Sequence, residues 1–362
     1  MRHSPHRVRS VALVALVVTV VLVSTGVTTR AARGLAGAAR APRTVTLVTH
    51  DSFAASKKVL AAFTERTGIT VKVLQAGDAG QVVNQAILTK DDPLGDVLFG
   101  VDNTFLTRAL DAGIFERYRS PALADVAPEL RLDPSQRVTP IDYGDVCINF
   151  DKEWFASRDI PVPTSLDDLT KARYRDLLVV EDPSTSSPGL AFMLATIAEY
   201  GTGGWTEYWD RLRANGVRVV DGWEQAYYDE FTGGGAGGGR PLVVSYASSP
   251  AAAVVFADPP IDRSPIGTMT ASCFRQVEFA GILAGTEHRA EARSLVDFLL
   301  SERFQADVPL QMFVYPARTD VPLPPVFTEN STIVTDPYTM TPSRIGARRE
   351  QWVRTWTGTV LR

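Results

Sequence analysis

TVTLVTHDSFAASKKVLAAFTERTGITVKVL, residues 44–74, holds a strand, a helix and a second strand in that order. Thr44–Thr49 alternates with β-branched residues, the pattern of a strand. Val59, Leu60 and Phe63 recur at helical spacing within Ala54–Thr67, and Gly68 stops that helix. Ile69–Leu74 is the second strand. Working outward, Gly80–Lys90 reads as a helix, Asp96–Gly100 as a short buried strand, and Leu106–Ala112 as a helix ended by Gly113. This βαβαβ order predicts an α/β fold with a parallel sheet covered by helices.

The next segments repeat the theme. Val138–Tyr143 and Val146–Asn149 read as strands leaving the first unit. Leu177–Glu181, Val217–Val220 and Pro241–Ser245 read as strands, and Pro188–Tyr200, Thr206–Asn215 and Glu224–Phe231 as helices. The chain then returns through strands Thr268–Ala271 and Gln276–Ala280 and an amphipathic helix, Glu287–Ser301. Ser301–Val308 reads as a short helix and Pro316–Thr335 as irregular. Arg344–Val360 carries Ile345, Trp352 and Trp356 on one face, read as core packing.

Two units joined by two crossings predict two lobes around a hinged cleft. Lobe 1 takes residues 44–145 plus 251–320 and lobe 2 residues 146–250, with 321–362 packing on both. Ligands of open α/β sheets sit beyond the carboxyl ends of strands. That rule nominates His50, Asp51 and Ser52, then Asp102 and Asn103, Asp182 to Ser187, Trp223, and Tyr246 to Ser249.

The 362 residues are 45% hydrophobic and 22% charged, a globular balance. Residues 1–43 hold seven arginines and no acid, which leaves 30 basic against 41 acidic residues in the remainder. Such an acidic body is a poor partner for nucleic acid and favours cationic ligands. Arg2, Arg7 and Arg9 precede an apolar run, Val11–Val23, and a small-residue stretch, Ser24–Ala41. That layout is a secretory signal. A retained anchor over residues 11–27 is the other reading. Either way the body is expected outside the cytoplasm, periplasmic or at the cell surface. No lipobox cysteine follows the run. In an oxidising compartment Cys147 and Cys273 would close a disulfide; two separate buried thiols is the alternative.

Seven stretches carry a resemblance. They are Thr49-His-Asp-Ser-Phe53, Gly100-Val-Asp-Asn103, Asp142-Tyr-Gly144, Asp182-Pro-Ser-Thr-Ser-Ser-Pro-Gly189, Gly222-Trp-Glu-Gln-Ala-Tyr227, Ser245-Tyr-Ala-Ser-Ser-Pro250 and Tyr315-Pro316. In this order they resemble the substrate-binding proteins of thiamine ABC transporters, over about residues 44–360. The resemblance implies a two-lobed periplasmic-binding-protein fold of the second structural type. It also implies capture of thiamine, thiamine monophosphate or thiamine diphosphate by a monomer, delivery to a membrane permease, no catalysis, and no metal or other cofactor.

Thiamine carries a fixed positive charge and a flat aminopyrimidine, so its site needs aromatic faces, carboxylates and polar donors. Trp223 and Tyr246 are the expected aromatic walls, with Tyr227, Tyr143 and Phe313 as further candidates. Asp51, Asp102 and Asp142 are the candidate carboxylates. Ser52, Asn103, Ser248 and Ser249 are candidate hydrogen-bonding groups. Ser184, Thr185 and Ser186, together with Ser187, precede a helix and suit a phosphate. Asp102, Asn103 and the serines also read as ordinary helix caps. Three positions depart from the family: His50 for Tyr, Ala252 for an aromatic, and Phe313 for Trp. They predict a less aromatic cleft.

Three rivals accompany this reading. Adjacent tyrosines, Tyr227–Tyr228, suit ferric-ion capture, because hard cations take oxygen ligands. Another small organic cation would need the same fold. A hydrolase would need His50 or His288, and the chain has no Gly-x-Ser-x-Gly elbow.

Overall fold

The computed structural model describes residues 43–235 and 237–362. The expected signal or anchor lies outside the described residues, apart from Arg43. In chain order the elements are β1 (Arg43–Thr49), α1 (Lys57–Thr67), β2 (Ile69–Gln75), α2 (Ala79–Leu88), β3 (Val97–Asp102), α3 (Leu106–Asp111), β4 (Thr139–Asp151), α4 (Lys152–Ala156), β5 (Leu178–Glu181) and α5 (Ser187–Ala214). They continue with β6 (Arg218–Val220), β7 (Leu242–Tyr246), α6 (Ser249–Val255), β8 (Ile266–Ile282), α7 (Arg289–Leu299), α8 (Glu302–Gln305), α9 (Val308–Gln311), β9 (Tyr315–Pro316), α10 (Pro325–Asn330) and α11 (Pro342–Val360).

Local chemistry sets the helix ends. Ser56 caps α1 by accepting a hydrogen bond from the Val59 N–H at 3.2 Å. Gly68 ends that helix in the left-handed region, at φ 66°.

The strands form one sheet in the order β2-β1-β3-β8-β4-β7-β5-β6, with β9 added on β4. Strand β1 runs parallel to β2 and β3, and β5 runs parallel to β6 and β7. Between these parallel wings lie the antiparallel strands β8 and β4. Both belong to the two wings at once. The Thr139 end of β4 pairs with the β8 segment beside β3, while its Asp151 end lies between β7 and the start of β8. The sheet thus carries two α/β halves with β4 and β8 running through both.

Several segments differ from their sequence pattern. The two strands expected at 138–149 are one continuous strand, β4, and those at 268–280 are one, β8. Gly144 and Asp145 interrupt the apolar pattern, but a central strand is held by ladder hydrogen bonds on both sides, whatever its side chains. Helices expected at 188–200 and 206–215 merge into α5, with Gly201 at φ 66° as the break. The short helix expected at 301–308 ends early as α8, a second short helix, α9, begins at Val308, and the proline-rich segment contains α10. The helix expected at Glu224–Phe231 is a π-helical turn, Gln225–Glu230.

The core runs through both faces of the sheet. Ile345, Trp352 and Trp356 are buried as expected, and Trp356 meets Trp209 of α5 edge-on at 5.4 Å. Burying each such side chain contributes about 2–3 kcal/mol. Cys147 on β4 and Cys273 on β8 form a disulfide, where the β4–β8 register shifts between Val146 and Ile148.

Candidate functional site

A cleft of about 320 Å³ lies where the two halves meet. One wall comes from the loop after β1 (His50 to Ala54) and the start of α2 (Asp78, Ala79). The other comes from Trp223, Glu224, Tyr227, Tyr228, Tyr246 and the starts of α5 and α6. Gln276 and Glu278 of β8 form the floor, and Phe256 with Gln311 to Val314 form a lip.

Direct bonds join the two walls. The Trp223 N–H donates to Asp78 Oδ2 at 3.1 Å, and the Gly80 N–H donates to the Thr185 carbonyl at 3.0 Å. The Ser52 hydroxyl spans the rim to Glu224 at 3.5 Å.

The aromatic wall is a stack. The Trp223 ring lies on Tyr227 at 5.0 Å and 23°, with Tyr228 and Tyr246 edge-on at 5.6 and 6.4 Å. Trp223 Nε1 donates to Ser245 Oγ at 2.9 Å, which fixes the ring's tilt. The Tyr246 ring lies over Gly144, where a Cβ would come within 2.7 Å of it.

Behind the floor runs a row of acids. Glu278 of β8 pairs in register with Asp102 of β3 on one side and Asp142 of β4 on the other. Three carboxyl groups therefore stand side by side on adjacent strands, an arrangement that destabilises a sheet unless protons or cations enter it. Burial, with the charge of Glu278 added, pushes the Asp142 carboxyl well above the usual carboxylate range. No donor reaches either Asp142 oxygen. Burial also lifts Asp102 to about 6, against the pull of its hydrogen bonds. His50 Nε2 stands 3.6 Å from Glu278. Burial disfavours its charged form, but Glu278, Asp78 and Asp51 outweigh that and raise the imidazole above its usual value.

These shifts share a sign. An acid with a raised folded pKa, or a histidine with one, makes folding take up protons, so stability falls as pH rises through the window between unfolded and folded values. For Asp102 that window runs from 3.8 to about 6 and is worth on the order of 3 kcal/mol. Asp168, depressed by Lys171, acts oppositely but only below the usual carboxylate range. Thermal unfolding without ligand is expected to show a higher Tm near pH 5 than near pH 8, and a flatter profile in Asp102→Asn. A Tm that climbs from pH 5 to 8 would contradict this account of the floor.

Of the residues nominated from sequence, Asp51, Ser52, Trp223, Tyr227, Tyr246, Ser249 and Phe313 line the cleft. Asp102 does not. Its carboxylate accepts from the Thr104 N–H and hydroxyl, both at 2.6 Å, and from Gln276 Nε2 at 3.0 Å, so it caps the turn into α3 from behind the wall. Asn103 ties to the β8 backbone at Arg275 and Val277. Asp142 is fully buried beside Glu278. Tyr143 points to the opposite face of β4, where it stacks on Tyr315 at 5.3 Å. Ser184, Thr185 and Ser186 turn away: the Ser184 N–H donates to Asp182, the Thr185 hydroxyl to the Asp221 carbonyl, and Ser186 is fully buried. The start of α5 reaches the cleft through Ser187 and Pro188 instead. Ser248 donates to the Phe313 carbonyl.

Sequence reasoning left Asp78, Gln276, Glu278, Glu224 and Phe256 off the list, and reached Tyr228 only through the ferric-ion reading. Asp78 follows β2 and precedes α2, so the strand-end rule reaches it. Nothing in the sequence couples Glu278 to Asp142; only sheet pairing does. The three departures, His50, Ala252 and Phe313, all line the cleft. The expected loss of aromatic surface is offset by Tyr228 and Phe256, the latter 5.2 Å from Phe313.

Residues 92–334 match the model of a family described as bacterial extracellular solute-binding protein. The chain belongs to that family. Its members bind a small solute and deliver it to a membrane permease, and they are not enzymes. This solute-binding protein is similar to the thiamine-binding periplasmic protein of Escherichia coli K12, at 28% identity over 322 residues, or 88% of this chain and 94% of that one. A solved structure titled periplasmic thiamin binding protein superposes with a TM-score of 0.77 at 26% identity, covering 88% and 96% of the two chains. Iron-bound HitA from Pseudomonas aeruginosa shares the fold, with a TM-score of 0.71 at 21% identity over 87% and 99%. The fold of this solute-binding protein is thus the two-lobed α/β fold of type II periplasmic binding proteins, with the ligand cleft between lobes. Its relatives are periplasmic, and no helix among the described residues is long and apolar enough to cross a membrane.

Proposed function

We propose that this solute-binding protein captures thiamine, free or as a phosphate ester, for an ABC importer. The observation that carries the reading is the Trp223–Tyr227 stack lining a cleft with Glu278 on its floor. A cationic ring against an aromatic face gains about 2 kcal/mol when desolvated, and Trp offers the strongest face. Glu278 and the rim acids Asp51 and Glu224 supply the opposing charge. The protein works as a monomer without a cofactor, is exported by residues 1–43, and closes its two lobes on the ligand before docking on the permease.

Titration calorimetry with thiamine tests the reading directly. Trp223→Ala is expected to weaken binding by about 2–3 kcal/mol, some 30- to 150-fold, and Trp223→Phe by less, because a face remains. An unchanged affinity in Trp223→Ala removes the aromatic wall from the site.

Ferric ion is the second reading, since Tyr227 and Tyr228 both line the cleft. Iron needs phenolates, and burial raises both phenols above their usual value. No group of three His, Cys, Asp or Glu among the described residues is placed to complete a metal site. A charge-transfer colour on adding ferric iron, lost in Tyr227→Phe, would favour iron over thiamine.

A further inference from the structure

We propose that Tyr228 is a specificity-determining residue of the cleft: it takes the second ring of a two-ring ligand, and a π-turn clamped by a glycine loop holds it there. This rests on the thiamine reading and adds a selection for two rings over one. The backbone register carries the argument. The Ala226 N–H donates to the Gly222 carbonyl four residues back, but the Phe231 N–H donates to the Ala226 carbonyl five residues back, both at 3.1 Å. The turn Gln225–Glu230 is therefore π-helical, a rare geometry that is frequent at functional sites. In an α-helix, where successive residues turn by about 100°, residue 228 would stand roughly 140° round from residue 223. The wider π-turn brings it back beside Trp223.

The two tyrosines then differ in what they do. Tyr227 is buried, lies along the indole at 5.0 Å, and rests on Phe231 at 5.6 Å. Tyr228 is 45% exposed, lines the cleft, and stands at 76° to the indole, 5.6 Å from it. The small core beneath, built from Tyr227, Phe231, Val220 and Val243, closes without Tyr228. The ring is therefore spare for a ligand. Thiamine hangs two flat rings on one tetrahedral carbon, so its rings do not share a plane. Two protein rings crossed at 76° suit that shape, one ring of the ligand on Trp223 and the other on Tyr228.

The loop 233–239, six glycines in seven residues, accounts for how the turn is held. The Thr232 N–H donates to the Arg240 carbonyl and the Arg240 N–H to the Glu230 carbonyl, both at 2.9 Å. Between these bonds the loop backbone lies directly on the open end of the π-turn. A Cβ at Gly234 would overlap the Tyr227 carbonyl, and one at Gly238 the Glu230 carbonyl. Only glycine permits so close an approach of backbone to backbone.

The test is calorimetry on the purified full-length chain with thiamine and with a one-ring analogue, an N-methylthiazolium carrying the same hydroxyethyl group. Tyr228→Leu keeps the bulk and removes the ring face at a half-exposed position, so the fold is not burdened. It is expected to weaken thiamine about tenfold and the analogue by no more than about twofold, while Tyr228→Phe restores thiamine binding to within about threefold of wild type. Gly234→Ala, which touches no ligand, is expected to lose as much thiamine affinity as Tyr228→Leu. It should also lose the same near-ultraviolet circular dichroism of the crossed rings. Full thiamine affinity in Tyr228→Leu would overturn the proposal and leave the thiamine reading standing. Equal losses for thiamine and the analogue would overturn the assignment of the second ring. Full affinity in Gly234→Ala would overturn the clamp. No binding of thiamine by the wild type would take down both readings.

Discussion

Replacing Gly80 with alanine is expected to hold the cleft open and to weaken ligand binding at least tenfold. Gly80 is the second residue of α2, and its N–H donates to the Thr185 carbonyl on the opposite wall at 3.0 Å. A Cβ at this position would stand 2.4 Å from that carbonyl oxygen and 2.9 Å from Phe105 Cζ. Backbone cannot retreat as a side chain can, so the wall carrying Thr185 must move away. Inside a helix, alanine otherwise stabilises by about 1 kcal/mol relative to glycine. Displacing the Phe105 ring costs a comparable amount. Global stability should therefore change by less than about 1 kcal/mol while closure is lost. Small-angle scattering with saturating ligand would show the wild type compacting and Gly80→Ala staying extended. Normal compaction in the variant would mean that the Gly80–Thr185 contact does not govern closure. A drop in stability of several kcal/mol would mean that it belongs to the fold instead.

The second large effect concerns stability alone. Cys147→Ser combined with Cys273→Ser opens a loop spanning 126 residues. Chain entropy for a loop of that length gives a ceiling of about 5 kcal/mol, and losses of 2–5 kcal/mol are typical. Both sulfurs are buried, so two serine hydroxyls in their place add desolvation cost. We expect urea unfolding of the double variant to show a loss of about 3–5 kcal/mol. Thiamine affinity at low temperature should be nearly unchanged, because neither cysteine lines the cleft. A loss below about 1 kcal/mol would show that β4 and β8 need no crosslink beyond their own ladder.

The parts of the site that could be read in advance lie next to sequence punctuation. Asp51 and Ser52 follow β1, Trp223 follows β6, and Tyr246 ends β7, so one rule about strand ends reaches all of them. The rule fails at Asp102 and at Ser184 to Ser186, because a polar residue at a strand end serves equally well as a turn or helix cap. Which role it takes depends on where its side chain points once the neighbouring strand is in place. Tyr143 fails for a related reason: side chains alternate along a strand, and Asp142 holds the inward position.

By itself the sequence determined the α/β alternation, the two halves, the strand-end residues, the acidic balance and the two cysteines, all of which are written in local periodicity or composition. Only the tertiary structure decided that Glu278 stands between Asp102 and Asp142, that Asp78 bonds across to Trp223, and that Cys147 meets Cys273. Each of these joins residues far apart in the chain through sheet register or lobe contact. Register is set by the summed pairing of whole strands, and no short stretch of sequence carries that sum.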